Sequence, residues 1–107
     1  MAVRAMYGHS LKGKEMENGL ILCPVCRHEF THHDEIVIYD RLGGEDGTTL
    51  AFHSKDGTWK PSEHNPSRRR DAVEIKFYGE CGHEWSVEFI QHKGQTLVNT
   101  RIPTVTE

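Results

Sequence analysis

Residues 73–89 read VEIKFYGECGHEWSVEF and contain the clearest strand signals of the chain. Every second residue from Val73 to Phe77 is apolar, and the same alternation resumes beyond the glycine-containing segment that follows. A period of two residues is typical of a strand with one buried face. The stretch therefore predicts two strands that form a hairpin, with Cys81 and His83 in the turn between them.

Working outward, shorter strand signals flank this hairpin on both sides and are separated by turn residues. No long segment carries the apolar stripe of an amphipathic helix. The fold class predicted is all-β or nearly so, a small antiparallel meander of about six strands with a zinc-ribbon-like metal site at one end. The further strand signals are Leu20–Leu22, Ile36–Tyr39, Thr48–His53 and Thr96–Val98.

The same patterns divide the chain into one domain and two terminal segments. Residues 1–18 are polar and interrupted by glycine, and we expect a flexible or loosely docked N-terminal arm. Residues 19–102 form the predicted β domain, and residues 103–107 its C-terminal tail. Within the domain, residues 54–70 hold prolines, serines and a glycine but hardly any apolar side chains, which predicts a long loop.

The composition indicates that the apolar core of this domain is too small to stabilise the fold by itself. Only 23 of the 107 residues are Val, Ile, Leu or Phe, while three are cysteines and eight are histidines. A chain of this length buries a small fraction of its surface, so a metal site is an expected source of stability. Three cysteines do not form a disulfide framework, and neither a membrane span nor a signal peptide is visible, so we expect a reducing cytoplasm.

The first metal-ligand motif is Cys23-Pro24-Val25-Cys26. Two thiolates at this spacing can bind one ion from a single tight turn. A redox pair would require a strand-to-helix junction, and the residues after Cys26 have no helical pattern. The spacing favours a metal site over a redox pair or a pair of cysteines without a ligand.

The second pair of candidate ligands is Cys81 and His83, on the turn between the two best strands. Three thiolates and one imidazole favour zinc over magnesium or calcium, and we predict one structural Zn²⁺ per chain. His28 and His92 are alternatives to His83 as the fourth ligand, as is a water molecule. His83 is favoured because it lies on the turn opposite the first two thiolates.

The order C-P-V-C, then Cys81-Gly82-His83-Glu84-Trp85, then Gln91-His92-Lys93-Gly94 resembles a group of small bacteriophage and prophage proteins. The resemblance covers residues 20–101 and implies a zinc-ribbon-like domain in a phage accessory protein. It implies no established activity. Members of the group often carry the late cysteine two positions earlier, where this chain has Gly79.

Positive charge is concentrated in one segment although the whole chain has a net charge of -3. Residues 55–70 contain five basic and two acidic side chains, a net charge of +3. Arginines beside an aromatic ring can follow a phosphate backbone and stack on a base. A solvated loop is the alternative interpretation. The candidate nucleic-acid-binding residues are Trp59, Lys60, Arg68, Arg69 and Arg70.

Three further features are assigned structural roles. His32-His33-Asp34-Glu35 is interpreted as an exposed polar turn rather than a second metal or acid–base site. His92-Lys93-Gly94 is interpreted as a hairpin turn in which the glycine has a positive φ. Tyr78 and Trp85 are expected to cover the metal end of the core.

No catalytic pattern accompanies the metal-ligand motif: there is no H-E-x-x-H, G-x-S-x-G or phosphate-binding loop. A site with four protein ligands has no open position for water, so we expect a non-catalytic binding module. The leading hypothesis is nucleic-acid binding through the basic loop. The alternative is binding of a host protein through an acidic sheet face that includes Asp34, Glu35, Glu84 and Glu88. We expect a monomer or a homodimer.

Overall fold

The computed structural model describes residues 16–17, 19–42 and 47–103. The described residues contain no helix, and therefore none long and apolar enough to cross a membrane. The all-β prediction is confirmed. The strands are β1 (Met16–Glu17), β2 (Leu20–Ile21), β3 (Thr31–Arg41), β4 (Thr49–His53), β5 (Thr58–Pro61), β6 (Ala72–Gly79), β7 (Glu84–His92) and β8 (Gln95–Arg101).

These strands form a two-stranded sheet, β1-β2, and a six-stranded sheet in the order β5-β4-β3-β6-β7-β8. Every neighbouring pair is antiparallel. The large sheet consists of two three-stranded meanders that join where β3 pairs with β6. The connection at residues 62–71 makes this possible, because it carries the chain from the β5 edge back to the centre of the sheet.

The predicted hairpin is the pair β6–β7, and its register defines the two faces of the sheet. Phe77 pairs with Trp85, and Glu74 pairs with Glu88. Residues paired across antiparallel strands share a face, and neighbours along a strand point to opposite faces. We call the face that carries Phe77 and Trp85 the Trp85 face, and the opposite one the Glu74 face.

The hairpin turn predicted at His92-Lys93-Gly94 connects β7 and β8, and because His92 pairs with Gln95 it has two residues. Lys93 and Gly94 both have positive φ, of 51° and 80°. Two consecutive positive φ values are the requirement of a type I′ turn, whose twist matches that of the flanking strands. The prediction of a positive φ at Gly94 is confirmed.

The polar segment His32–Glu35 is not a turn, so this prediction was wrong. It lies within β3, where His32 pairs with Tyr78 and His33 with Phe77. The register shifts between His33 and Ile36, which marks a β-bulge. The bulge accommodates an extra residue, so the strand continues through a segment whose composition is typical of a turn.

The predicted segment boundaries agree with the structure only in part. Residues 54–70 are not a continuous loop, because β5 lies within them and pairs with β4. Of the predicted N-terminal arm, Met16–Glu17 forms β1, and residues 1–15 and 18 lie outside the described residues. Of the predicted tail, Pro103 is described and belongs to no strand, and residues 104–107 are outside the description.

Two apolar clusters lie on opposite faces of the large sheet. On the Trp85 face, Cys23 packs with Trp85, Val87 and Val98, and Ile21 lies against this cluster. On the Glu74 face, the cluster consists of Val37, Tyr39, Ala51 and Ala72. The segment that includes Ile21 and Cys23 therefore covers part of the Trp85 face.

One apolar row on the Trp85 face crosses all six strands. It ends at Trp59 on the edge strand β5, where the side chain is 48% exposed. The Trp59 ring packs on the Phe52 ring, with 5.3 Å between centroids. In strand order, the row is Trp59, Phe52, Ile38, Val73, Phe89 and Val98.

Candidate metal centre

The first ligand turn is built by Cys23-Pro24-Val25-Cys26 directly after β2. The Arg27 N–H donates to the Cys23 carbonyl at 2.8 Å, and the Val25 N–H points at the Cys23 sulfur at 3.4 Å. Arg27 has a φ of 64°, the left-handed conformation that redirects the chain after the turn. These contacts hold the sulfur of Cys23 on the inside of the turn.

The second ligand turn connects β6 and β7. The Gly79 N–H donates to the His83 carbonyl and the Gly82 N–H to the Gly79 carbonyl, both at 2.9 Å. Gly82 has a φ of +95°, a conformation that side chains rarely adopt. The tight turn between these glycines places Cys81 and His83 on one side of the hairpin end.

The two turns are joined by main-chain and side-chain hydrogen bonds. The Glu80 N–H donates to the Phe30 carbonyl at 3.0 Å, and the Thr31 hydroxyl donates to the Ile21 carbonyl at 2.8 Å. The sheet register also pairs Thr31 with Gly79. The ends of both turns are thereby brought to the same corner of the sheet.

At this corner the structure brings Cys23, Cys26, Cys81 and His83 together, with their ligand atoms all within 4.8 Å of one another. The Nδ1 atom of His83 lies 3.5 Å from the sulfur of Cys23, 3.7 Å from that of Cys26 and 3.4 Å from that of Cys81. One imidazole nitrogen cannot form three hydrogen bonds. Three sulfurs at this distance from one nitrogen correspond to four ligands arranged around a shared centre. The group could therefore hold a metal ion.

Burial decreases across this group from the core to the surface. Cys23 is fully buried, Cys81 and His83 are half-buried, and Cys26 is exposed. Trp85 packs against Cys23 as predicted, and its ring stacks on that of Phe77. The metal-site corner and the apolar cluster of the Trp85 face are thus one continuous packed unit.

Tyr78 does not cover this corner, which corrects the expectation. Phe77 lies on the Trp85 face, so strand alternation directs its neighbour Tyr78 to the Glu74 face. There the Tyr78 ring stacks on His32 with 4.9 Å between centroids. His32 in turn forms an ion pair with Glu80 at 2.9 Å.

Two of the thiols have shifted pKa values in opposite directions. Hydrogen bonds from the His83 backbone lower the pKa of Cys81 to about 6, against the opposing effect of burial. The His28 backbone N–H lowers the pKa of Cys26, but lost hydration and hydrogen bonds with the Cys81 and Cys23 thiols outweigh it and raise that pKa. Cys81 therefore provides a thiolate at neutral pH, the form that binds metals.

The alternative histidines lie elsewhere. His92 pairs with Gln95 beside the β7–β8 turn, at the far end of β7 from the candidate metal centre. His28 packs edge-on against Phe30, and its Nε2 atom is buried without a hydrogen-bond partner among the described residues. Only His83 of these three belongs to the cluster with the cysteines.

The basic candidate residues are divided between the two faces of the sheet. Trp59 shares the Trp85 face with Phe52, whereas its neighbour Lys60 pairs with Ala51 on the Glu74 face. Lys60 also forms an ion pair with Asp56 at 3.2 Å. Strand alternation therefore separates Trp59 from Lys60, although the two are adjacent in sequence.

The arginine segment is anchored by Ser67, which is 2% exposed. The Ser67 hydroxyl donates to the Gln91 carbonyl at 2.8 Å and accepts from the Arg70 N–H at 2.9 Å. Arg41 donates to the Ser67 carbonyl at 2.8 Å, and Asn65 donates to Thr49 at 3.2 Å. The residues Arg68, Arg69 and Arg70 are exposed above this anchor.

The predicted acidic face is largely neutralised. Glu35 lies between Lys76 at 3.3 Å and His53 at 3.5 Å, and Asp34 pairs with Lys55 at 2.7 Å. Glu88 is 2% exposed. Of the four predicted residues, only Glu84 is exposed without an ion pair to a described residue.

The sequence patterns did not predict the structural roles of three residues, Gly79, Ser67 and Glu74. Gly79 would, with a Cβ atom, contact the Cys81 sulfur at 2.7 Å, and its only sequence signal is its place beside the turn. Ser67 follows Asn65, whose side chain accepts the Ser67 N–H at 2.9 Å, a local turn that Asn and Ser favour. Glu74 is buried although it stands at a polar position of its strand.

Comparisons with protein-family models, curated proteins and solved structures found no significant match to this chain. The resemblance to small bacteriophage proteins therefore remains a prediction from its sequence motifs.

Proposed function

We propose that this protein is a non-catalytic binding module whose fold is stabilised by one zinc ion. The observation that carries the proposal is the convergence of three cysteine sulfurs on Nδ1 of His83 at 3.4–3.7 Å. A tetrahedral zinc ion with Zn–S of about 2.3 Å and Zn–N of about 2.05 Å requires sulfur-to-nitrogen distances of about 3.6 Å. The three observed sulfur-to-nitrogen distances agree with this requirement.

The donor set also supports zinc as the metal. Thiolate and imidazole ligands suit zinc, whereas magnesium and calcium prefer oxygen ligands. Four protein ligands complete a tetrahedral shell and leave no position for an activated water. The ion in this proposal is therefore structural, and the module is not an enzyme.

Zinc would contribute directly to folding. Cys23 and Cys26 lie outside the large sheet, whereas Cys81 and His83 belong to its β6–β7 hairpin. An ion bound by both pairs ties the segment that covers the Trp85 face to that face. Because an unfolded chain has no preformed site, the binding free energy becomes folding free energy.

Metal analysis tests this part of the proposal. Protein purified without added zinc is expected to contain one zinc ion per chain. A protein that folds with no metal, or that binds iron in preference to zinc when both are supplied, would contradict it.

Nucleic acid is the partner that the exposed basic segment favours. Arg68, Arg69 and Arg70 are exposed on a segment that the buried Ser67 holds in place. A held segment loses little conformational entropy when it binds, and arginines are suited to phosphate groups. Lys60 lies on the same face as Arg41 and Thr49, which anchor this segment. We place the contact on Lys60 and the three arginines, without Trp59.

A salt titration of binding to double-stranded DNA and to single-stranded RNA tests this assignment. Replacing all three arginines by alanine should weaken binding and reduce the slope of log affinity against log salt by up to about 3. Arg27→Gln, which removes one positive charge near the metal centre, is the control and should have little effect. Undetectable binding at low salt, or an unchanged affinity of the triple variant, would overturn it.

Protein binding through the Glu74 face is the second candidate function. A pocket of about 400 Å³ opens on this face beside the exposed Glu84. Concave sites with a few polar groups are where proteins capture ligand groups. With either partner, the resemblance to bacteriophage proteins supports a role as a phage accessory protein in the cytoplasm of the host.

A further inference from the structure

The pocket on the Glu74 face lies beside residues 74–78 of β6 and the first three residues of β7. Glu74, Lys76 and Ser86 contribute from the sheet, Arg101 from the end of β8, and Ile102 and Pro103 from the residues that follow. Its volume of about 400 Å³ is large enough for an amino-acid side chain. The pocket is separate from the candidate metal centre, none of whose four residues lines it.

Both basic residues of the pocket are already paired with carboxylates that do not line it. The Lys76 ammonium lies 3.3 Å from Glu35, and the Arg101 guanidinium lies 3.4 Å from Glu88. Their charges are therefore largely compensated. Three acidic residues line the pocket: Asp34 pairs with Lys55 at 2.7 Å, whereas Glu74 and Glu84 form no ion pair with a described residue.

Glu74 is the unusual member of this set because it is only 9% exposed. Its Oε1 atom accepts a hydrogen bond from the Tyr39 hydroxyl at 3.3 Å, and its Oε2 atom accepts none from a described residue. A buried carboxylate needs a charged partner or several hydrogen bonds to offset its lost hydration. One long hydrogen bond to a neutral hydroxyl meets only part of this requirement, and because Glu74 lines the pocket without an oxygen among the buried unpartnered atoms, its carboxylate remains open to the pocket.

A residue of the neighbouring strand β7 increases the need of Glu74 for a positively charged partner. Glu88 stands directly opposite Glu74 in the register and is 2% exposed. Like charges in directly opposed positions are destabilising. Glu88 Oε1 accepts a hydrogen bond from Asn99 at 2.9 Å, and its Oε2, which is buried without a hydrogen-bond partner among the described residues, lies 3.4 Å from the Arg101 guanidinium. The pair therefore holds two buried carboxylates beside one guanidinium, which pairs with Glu88, and Glu74 has no ionic partner among the described residues.

We propose that the pocket binds the cationic head of an arginine or lysine side chain from a partner protein, with the Glu74 carboxylate as acceptor. Tyr78, Ile102 and Pro103 line the same pocket and provide apolar contact for the aliphatic stem of that side chain. The proposal rests on the second candidate function, and it specifies the group that the Glu74 face recognises.

Three small probes test the pocket by two-dimensional amide NMR on the metal-loaded protein. Nα-acetyl-arginine amide and Nα-acetyl-lysine amide carry the cationic head, and Nα-acetyl-norleucine amide has a similar stem without charge. The cationic probes should shift the amide signals around Glu74 and Ser86 in a saturable manner. Equal shifts with the norleucine probe, or no saturable shift with either cation, would overturn the proposal.

Two variants locate the binding group. Glu74→Gln keeps the size of the side chain and an acceptor for Tyr39 but removes the charge, and should weaken cation binding about tenfold. Ser86→Leu fills the pocket without a change in charge and should weaken binding of all probes. Glu63→Gln, an exposed position outside this pocket, is the matched control and should bind like the wild type. Unchanged affinity of both pocket variants would overturn the proposal.

A pull-down with wild type and Glu74→Gln separates failure of the pocket from failure of protein binding. A partner retained equally by both proteins would refute the pocket and leave the second candidate function standing. Saturable, charge-dependent probe binding without any captured partner would refute that function and leave the cation site established. Loss of the partner only in Glu74→Gln, with an unchanged thermal unfolding temperature, is the expected result.

Discussion

The sulfur of Cys23 lies 3.5 Å from Nδ1 of His83, although 60 positions separate the two residues in the chain. Cys23 follows the two-residue strand β2, whereas His83 lies in the turn of the β6–β7 hairpin of the large sheet. Cys23 is also fully buried against Trp85, so the same residue serves the apolar cluster and the candidate metal centre. A substitution in the apolar cluster should therefore also affect the candidate metal centre, and a substitution in the metal centre should affect the cluster.

Removing the thiolate of Cys81 should abolish metal binding and destabilise the domain. Cys81→Ser leaves three ligands, and the hydroxyl of serine is a poor substitute for a thiolate. We expect less than one zinc per chain by metal analysis and loss of a cooperative thermal transition, because metal binding contributes folding free energy. A variant that keeps both its metal and its unfolding temperature would refute the site.

The fourth ligand can be identified by comparing two histidine variants. His83→Ala removes the nitrogen on which all three sulfurs converge, and should weaken zinc binding by several orders of magnitude in a chelator competition. His28→Ala should leave the zinc affinity nearly unchanged, because His28 is outside the cluster. The reverse ranking of the two variants would assign the role to His28.

A methyl group at position 79 should disturb the site without removing any ligand. The Cβ atom of an alanine there would lie 2.7 Å from the Cys81 sulfur and 3.4 Å from the Trp85 ring. Such overlap forces shifts that typically cost about 1–3 kcal/mol in a packed region. We expect Gly79→Ala to lower both the zinc affinity and the free energy of unfolding.

Gly57→Ala is the matched control for this substitution. Gly57 has a φ of +73° and no atom within 4 Å of an added Cβ, so its cost is conformational strain of about 1 kcal/mol. Its zinc affinity should equal that of the wild type. Equal zinc affinities for Gly79→Ala and the control would show that the Cys81 sulfur tolerates the added methyl group.

Zinc affinity should decrease as the pH falls, because a thiol must lose its proton before it binds the ion. The pKa of Cys26 is raised, so at pH 7 this thiol is protonated and releases a proton on binding. The pKa of Cys81 is lowered to about 6, so its proton competes only as the pH falls through that value. Each released proton changes the affinity about tenfold per pH unit.

Chelator competition between pH 5.5 and 9 measures this dependence, with the range chosen around the two pKa shifts. The curve should steepen below a pH of about 6, where Cys81 begins to bind a proton in the metal-free protein. An affinity that does not change between pH 7 and 8 would contradict the raised pKa of Cys26.

The hydroxyl of Ser67 should be required to hold the arginine segment in place. Ser67→Ala removes hydrogen bonds to Gln91 and Arg70 at a buried position. The loss should cost about 1–3 kcal/mol in the free energy of unfolding, because buried partners are left unsatisfied. Ser62→Ala removes one hydrogen bond, to the His64 N–H at an exposed site, and should cost less. Faster amide exchange of residues 68–70 in Ser67→Ala alone would show that the anchor has been released.

Local patterns predicted a substantial part of this fold. The alternation at residues 73–89 placed β6 and β7, and Lys93-Gly94 placed the turn to β8. Ligand chemistry and spacing brought Cys23, Cys26, Cys81 and His83 into one hypothesis. These features could be predicted because each depends on neighbours a few residues away: strand alternation, positive φ at glycine and the reach of a tight turn.

Long-range pairing was not predictable in the same way. The bulge in β3 and the position of β5 at the sheet edge depend on partners distant in sequence, which the local composition of residues 32–35 and 58–61 does not indicate. Each of these segments resembles a turn or a loop when it is considered alone. Hydrogen bonds to a neighbouring strand are what make it a strand.

By itself, the sequence determined an all-β chain with two ligand pairs and one basic segment, because residue type and spacing are local properties. Only the tertiary structure decided which side chains share a face of the sheet and which are buried away from water. It set Trp59 and Lys60 on opposite faces, put Ser67 beneath the arginines, and buried Glu74 opposite Glu88. The physical reason is that desolvation and charge pairing depend on strand order and packing, which no short segment encodes.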